Sequence, residues 1–450
     1  MSNNTDQIKI ASNSFRLTFS YNGETVEYIS RKKIDMRPPA SDPLIETEEM
    51  AGSWYTLADN QGQLIYRRII QNPLLSLPDI AQADIEETEL EEIQIQEETL
   101  MNEIETKSEG YFTLVIPDSD LAATFTLYCS LPETGGIFAP AVAVINVDLT
   151  NTDDIESDIE TLESFSTLES TDINKNTIRF NRDDKECWTL VILAEGYRAQ
   201  DIGSFNTHAQ AFADLLFETE PFKTYKDNIN IYSLETISVD EGAKDPTDCS
   251  GGTGAKPNTF FNASYCRPTK IRRLLTADYM KAHHTCERFV PKYNESIMIV
   301  NATLYGGSGQ TRCAVYSTGA GHNVGLHELG HSAFGLGDEY NSYTGAKPSE
   351  PKVYSGTPLS LPNVAVTISE AERKWNDSNP LSVKANPDCI HGNSGDTALA
   401  DGEIAAVEGA YYHDCNIYRP QEVCLMRNIN EPFCKICYAK VENDLENYSV

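Results

Sequence analysis

His327-Glu328-Leu329-Gly330-His331-Ser332-Ala333-Phe334-Gly335-Leu336-Gly337-Asp338-Glu339-Tyr340 brings two imidazoles, an intervening carboxylate and a following acidic pair into one short segment. Residues four apart on an α-helix share a face one turn from each other, so His327 and His331 can direct ring nitrogens at one ion about 2.0–2.1 Å away. Glu328 follows the first imidazole and falls beside the ion but outside its coordination shell, where it can take a proton from a water. The segment therefore reads as a catalytic Zn²⁺ site with His327 and His331 as ligands and Glu328 as general base.

A catalytic zinc usually has three protein ligands and one open position. Gly335 and Gly337 are expected to end the helix, since glycine accepts the left-handed conformation that redirects the chain. The turn then returns Asp338 or Glu339 toward the ion. Asp338, seven residues beyond His331, is preferred because a short carboxylate just past a glycine turn resembles the third ligand of metzincin peptidases; Glu339 is the alternative. In the usual metzincin spacing the glycine lies three, and the ligand six, residues past the second His, so this chain carries one extra residue.

These residues resemble the IgA-peptidase family of bacterial zinc metallopeptidases (metallo family sixty-four, metzincin-like), whose core looks like His-Glu-x-Gly-His-Ser followed by Leu-x-Asp-Glu-Tyr. The resemblance extends upstream to Thr189–Tyr197 and Asn301–Gly309. Downstream it takes in Tyr418-Arg419-Pro420, Cys424–Arg427 and Pro432-Phe433-Cys434, so it covers roughly residues 180–440. It implies that Met426 forms a methionine turn beneath the zinc. It also implies that Tyr418 reaches the metal or the tetrahedral intermediate, a buried tyrosine beside a proline turn being the alternative. No residue of the chain encodes immunoglobulin A as a substrate.

A chain of 450 residues exceeds one ordinary core, so two or three domains are expected. Acidic residues outnumber basic ones 68 to 35, for a net charge of −33. That balance excludes nucleic acid, which needs clustered Lys and Arg, and disfavours an anionic membrane surface. The apolar runs Pro140–Val147 and Thr189–Ala194 are far too short to span a membrane. A protein or peptide substrate and a monomeric state are expected. Of eleven cysteines, Cys129 stands alone and ten lie between Cys187 and Cys437, which favours up to five disulfides and a secreted or cell-envelope location. No signal segment is visible at the N-terminus. Cys434-Lys-Ile-Cys437 with Cys415 and Cys424 is a weaker reading as a structural zinc site.

The first part reads as β. Phe15, Leu17, Phe19 and Tyr21 alternate up to Asn22-Gly23, a hairpin signal. Trp54–Ile70 and Tyr111–Cys129 read as two further strand pairs, giving an N-terminal β-sandwich-like domain with an acidic linker over residues 1–172. Acidic stretches at Asp79–Glu105 and Asp153–Asp172 read as solvated surface and linker. Residues 173–450 then form an α/β zincin-like catalytic domain, with strands at Thr189–Ala194, Asn228–Ile237 and Ser296–Leu304. A helix capped by Ser204 presents Phe205, Ala209, Phe212 and Leu216 on one face. Gly306-Gly307-Ser308-Gly309 reads either as an edge that pairs with extended substrate or as a flexible turn. His322 is placed off the ligand face; His283, His284, His391 and His413 are expected in loops or at the surface. Glu195 is expected to make local hydrogen bonds. The function expected is a zinc-dependent endopeptidase; the alternative is a non-catalytic adhesin or binding protein with a vestigial zincin domain.

Overall fold

The structure, a computed structural model, describes residues 13–45, 49–75, 109–131, 138–151, 173–267, 271–341, 351–375, 380–390 and 397–449. Both acidic stretches, Asp79–Glu105 and Asp153–Asp172, lie outside these residues, as does His391. The architecture is multidomain mixed α/β, rich in sheet and with few helices.

Two antiparallel sheets come first. Strand β1 (Ser14–Asn22) passes through Gly23, at φ +57°, into β2 (Thr25–Ile34), as the Asn-Gly signal and the alternating apolar residues require. Strands β3 (Ser53–Ala58) and β4 (Leu64–Ile69) make a second hairpin. Strands β5 (Glu109–Pro117) and β6 (Thr124–Cys129) do not pair with each other as expected: β5 pairs with β1, whereas β6 pairs with β3 and β7 (Val142–Asp148). The strand orders are β2-β1-β5 and β4-β3-β6-β7. The cause is the shared core. Phe112, Leu114 and Ile116 of β5 and Phe125, Leu127 and Cys129 of β6 enter one cluster with Leu17, Phe19, Tyr55 and Leu57, so the two strands close it as parts of different sheets.

After β8 (Asn174–Arg179) the chain builds a six-stranded mixed sheet from β9 (Trp188–Glu195), β10 (Ile229–Glu235), β13 (Glu295–Val300), β14 (Gly307–Gln310) and β15 (Cys313–Ser317). Its order is β14-β15-β13-β9-β10-β8, with β15, β13, β9 and β10 parallel and an antiparallel strand at either edge. Every residue of β9 is buried, because both faces are covered. Leu190, Ile192 and Ala194 face α1 (Ile202–Glu218), while Val191 and Leu193 face α2 (Tyr279–Phe289) and the segment around Phe261. A short ribbon of β11 (Ser264–Tyr265) and β12 (Leu275–Thr276) lies on this second side. Helix α1 starts two residues before Ser204, with Asp201 at the cap position; Phe205, Ala209, Phe212 and Leu216 are its buried stripe.

Helix α3 (His322–Phe334) packs on the α1 side of the sheet against β14 and β15, and α4 (Ile368–Trp375) follows it. A three-stranded sheet of β16 (Ser382–Lys384), β17 (Ala405–Ala410) and β18 (His413–Arg419), then α5 (Lys435–Glu446), completes the chain.

The first sheets are joined to the α3 end through buried charge. Arg68 of β4 donates both guanidinium nitrogens to Asp444 of α5, at 2.7 and 2.8 Å, and one of them also donates to the carbonyl of Ala333 at 2.8 Å. Lys440 bridges Asp42 at 2.8 Å and Asp444 at 3.2 Å. A cation at the last turn of α3 also meets the negative end of its dipole.

Two expectations are corrected. The eleven cysteines form two disulfides, Cys249–Cys266 and Cys389–Cys415; the other seven are buried and not disulfide-bonded. His283 and His413 are buried rather than superficial, His283 Nδ1 lying 2.9 Å from the Tyr293 hydroxyl and His413 Nδ1 2.7 Å from the Tyr411 carbonyl.

Candidate metal centre

His327 and His331 lie one turn apart on α3 and are fully or almost fully buried. Their Nδ1 atoms face carbonyl oxygens, Leu425 at 3.1 Å and Leu336 at 2.7 Å. A carbonyl only accepts, so each Nδ1 carries the proton and each Nε2 presents a lone pair. The two Nε2 atoms are 3.1 Å apart, and Asp338 Oδ1 lies 3.2 Å from one and 3.3 Å from the other. No hydrogen-bond donor serves this buried carboxylate oxygen.

Three acceptors in a near-equilateral triangle repel one another unless a cation is shared among them. Ligand distances of about 2.0–2.1 Å around a tetrahedral ion imply edges of about 3.3 Å, so the donor set fits a small divalent metal. Two imidazoles and a carboxylate suit zinc chemistry.

Local sequence accounts for the geometry. Gly335, at φ +63°, ends α3, and the N–H groups of Gly335 and Leu336 return to the carbonyls of His331 and Gly330. Gly337 does not make the turn. Its backbone is instead clamped by Asn363, whose side chain accepts from the Gly337 N–H at 2.8 Å and donates to its carbonyl at 2.7 Å. The structure brings Asp338 to the histidines, whereas Glu339 faces Cys434 and Cys437. Burial pushes the Glu339 carboxyl well above the usual carboxylate range.

Glu328 is buried, with its carboxylate against Gly307 of the neighbouring strand; a Cβ there would collide with Glu328 Oε1. Gly309 similarly admits the backbone of α3, a Cβ there coming within 2.9 Å of His331 Cβ. The glycine run therefore enters a buried edge strand, paired with β15 and packed directly against α3, and is not a flexible turn. Its outer side is taken at Gly307 by the Arg273 carbonyl at 3.2 Å and at Ser308 Oγ by the Leu275 carbonyl at 2.6 Å, where one of the two sequence readings put pairing with substrate.

Met426 lies beneath α3 in a turn closed by N–H groups of Arg427 and Asn428 on the Cys424 carbonyl, and a Cβ at Gly330 would come within 2.6 Å of its sulfur. Tyr418 packs with Ala365, Ala371 and Trp375. The tyrosine at the site is Tyr412, whose hydroxyl donates to Asp338 Oδ2. Sequence reading missed both Tyr412 and Asn363, which arrive from distant segments. His322 Nδ1 lies 2.8 Å from the Tyr316 hydroxyl at the start of α3. The buried Glu195 carboxylate accepts from Thr259 Oγ1 and from the Phe261 and Ala263 N–H groups, fixing that loop.

His327, His331 and Asp338 converge as a buried group that could hold a metal ion. Residues 181–384 match the model of the IgA peptidase M64 family, so this segment is similar to those metallopeptidases. No curated protein matches the chain. Among the described residues no helix is long and apolar enough to cross a membrane.

Proposed function

We propose that the chain is a zinc-dependent endopeptidase in which His327, His331 and Asp338 hold the metal and Glu328 is the general base. The observation that carries this reading is the triangle of Nε2, Nε2 and Oδ1 atoms, with both imidazole tautomers set by backbone carbonyls. Bound zinc would polarise the scissile carbonyl and lower the pKa of an attacking water. Glu328 takes the proton from that water and delivers it to the leaving amine, so no covalent enzyme intermediate forms. Tyr412 positions Asp338 by holding its other oxygen, and the Leu425 and Leu336 carbonyls orient the imidazoles.

The two antiparallel sheets with their common cluster suit a sandwich-like N-terminal domain ending near residue 172, and the six-stranded sheet carrying α3 suits a zincin-like catalytic domain from 173 to 450. Two disulfides are consistent with export to an oxidising compartment. Nothing favours the non-catalytic reading, since the site keeps its base as well as its ligands.

Glu328→Ala, compared with wild type on a denatured protein mixture with bound metal measured in both, tests the assignment. Metal retained with cleavage lost is expected; equal cleavage rules out Glu328 as the base.

A further inference from the structure

Cys424, Cys434, Cys437 and Glu339 are all buried, and their ligand atoms lie within 4.8 Å of one another. The Cys424 and Cys437 sulfurs are 3.7 Å apart, and Glu339 Oε1 lies 3.4 Å from Cys434 Sγ and 3.2 Å from Cys437 Sγ. Zinc bound tetrahedrally by sulfur at about 2.3 Å and oxygen at about 2.0–2.2 Å implies edges of about 3.8 Å between sulfurs and about 3.5 Å between sulfur and oxygen. The observed separations match those of ligands drawn around one ion.

We propose that Cys424, Cys434, Cys437 and Glu339 form a second, structural zinc site, distinct from the His327–His331–Asp338 centre.

Independent features of the cluster support it. Glu339 Oε2 is buried without a hydrogen-bond partner, while Oε1 accepts from Asn363 at 2.9 Å. Such an oxygen is costly unless an ion uses it. The sulfurs accept backbone N–H groups in the manner of metal thiolates: Met426 and Cys434 donate to Cys424 at 3.4 and 3.3 Å, and Cys437 donates to Cys434 at 3.4 Å. Cys434 is the N-cap of α5, where the helix dipole favours a thiolate. Four anionic ligands around a divalent ion leave two negative charges, and buried Arg419 and half-buried Arg427 lie within electrostatic reach of Glu339 and Cys424. The sequence had suggested Cys415 as a partner for this Cys-x-x-Cys pair; Cys415 is instead disulfide-bonded to Cys389, and the fourth position falls to Glu339.

The site would brace the other centre. Cys424 begins the turn whose Leu425 carbonyl orients His327 and whose Met426 carbonyl accepts from the Glu339 N–H at 2.8 Å. A closed four-ligand site with no open position is structural rather than catalytic.

The test uses the full chain loaded with zinc and freed of loose metal. Metal content, zinc-edge X-ray absorption and mass spectrometry after thiol alkylation are measured for wild type and for a His327→Ala/His331→Ala variant. Wild type is expected to hold two zinc ions with a sulfur shell at about 2.3 Å. The double variant is expected to keep one ion with that shell, and all three cysteines are expected to be alkylated only after denaturation and chelation. If the double variant does not fold, the wild-type spectrum and thiol state decide alone. Bound zinc with no sulfur scattering, or a Cys424–Cys437 disulfide, overturns the proposal. One zinc in wild type with a sulfur shell upholds it and contradicts the catalytic assignment instead, so the two readings fail separately.

Discussion

Asp338 and Glu339 are adjacent in the chain yet serve different clusters: Asp338 Oδ1 lies 3.2 Å from His327 Nε2, and Glu339 Oε1 lies 3.2 Å from Cys437 Sγ. The backbone between them is pinned on both sides, with the Asp338 carbonyl accepting from the Tyr411 N–H at 3.2 Å and the Glu339 N–H donating to Met426. Asp338→Asn is therefore expected to weaken metal binding at the histidines. Tyr412→Phe, which leaves the ligand but removes the donor to its second oxygen, is expected to lower affinity about 10–100-fold. Competition with a chelator measures both; an unchanged affinity in Tyr412→Phe would show that the hydroxyl does not hold the ligand.

Gly307 is where the proposed base meets the sheet. Gly307→Ala would push against the Glu328 carboxylate and Val324, so kcat is expected to fall while zinc content stays at the wild-type level. Gly330→Ala, which meets Met426 instead, is expected to destabilise the fold by about 1–3 kcal/mol through overpacking. Equal kcat in Gly307→Ala and wild type would remove the positional argument for Glu328.

The Arg68–Asp444 pair joins the N-terminal sheets to α5 with both side chains nearly inaccessible. Removing one partner leaves a buried charge uncompensated, so Asp444→Ala is expected to cost about 3–5 kcal/mol. An Arg68→Met/Asp444→Leu pair is expected to cost much less. Urea unfolding of the three proteins measures this, and additive losses in the double variant would contradict it.

Acid lability follows from the buried histidines. Burial holds His413 down to about 4 and His283 well below its ordinary value of 6.5. Between pH 6.5 and about 4 the unfolded chain binds protons that the folded chain refuses, so stability is lost as pH falls through this window. It changes no further from His413 below about 4. The loss for His413 is on the order of 3 kcal/mol. His413→Gln is expected to flatten the pH dependence of unfolding free energy between pH 7.5 and 4.5, and an unaltered slope would contradict the assignment.

What the sequence made legible is what depends on neighbours in the chain. The pairing of His327 with His331 is fixed by helix periodicity, the stop at Gly335 by its backbone freedom, and the β1–β2 hairpin by alternation around Asn22-Gly23. Long-range partners left no such trace. Tyr412 reaches Asp338 from the two-residue turn between β17 and β18, where Tyr411 and Tyr412 both take positive φ, 45° and 66°. That conformation is ordinarily given to Gly or Asn and costs roughly 1–3 kcal/mol per residue, so no turn signal marks it. Asn363 and the union of Glu339 with three cysteines likewise depend on segments distant in sequence. The division of β5 and β6 between sheets was hidden because alternation shows which residues face a core but not which strand lies alongside.

The central claim is tested most directly by a crystal of the zinc-loaded protein with anomalous diffraction recorded at the zinc edge. The account predicts a peak bound by His327 Nε2, His331 Nε2 and Asp338 Oδ1 at about 2.0–2.2 Å, with Glu328 beside it and outside its coordination shell. No peak at that triangle, or a zinc ligated there by Glu339 in place of Asp338, would contradict it.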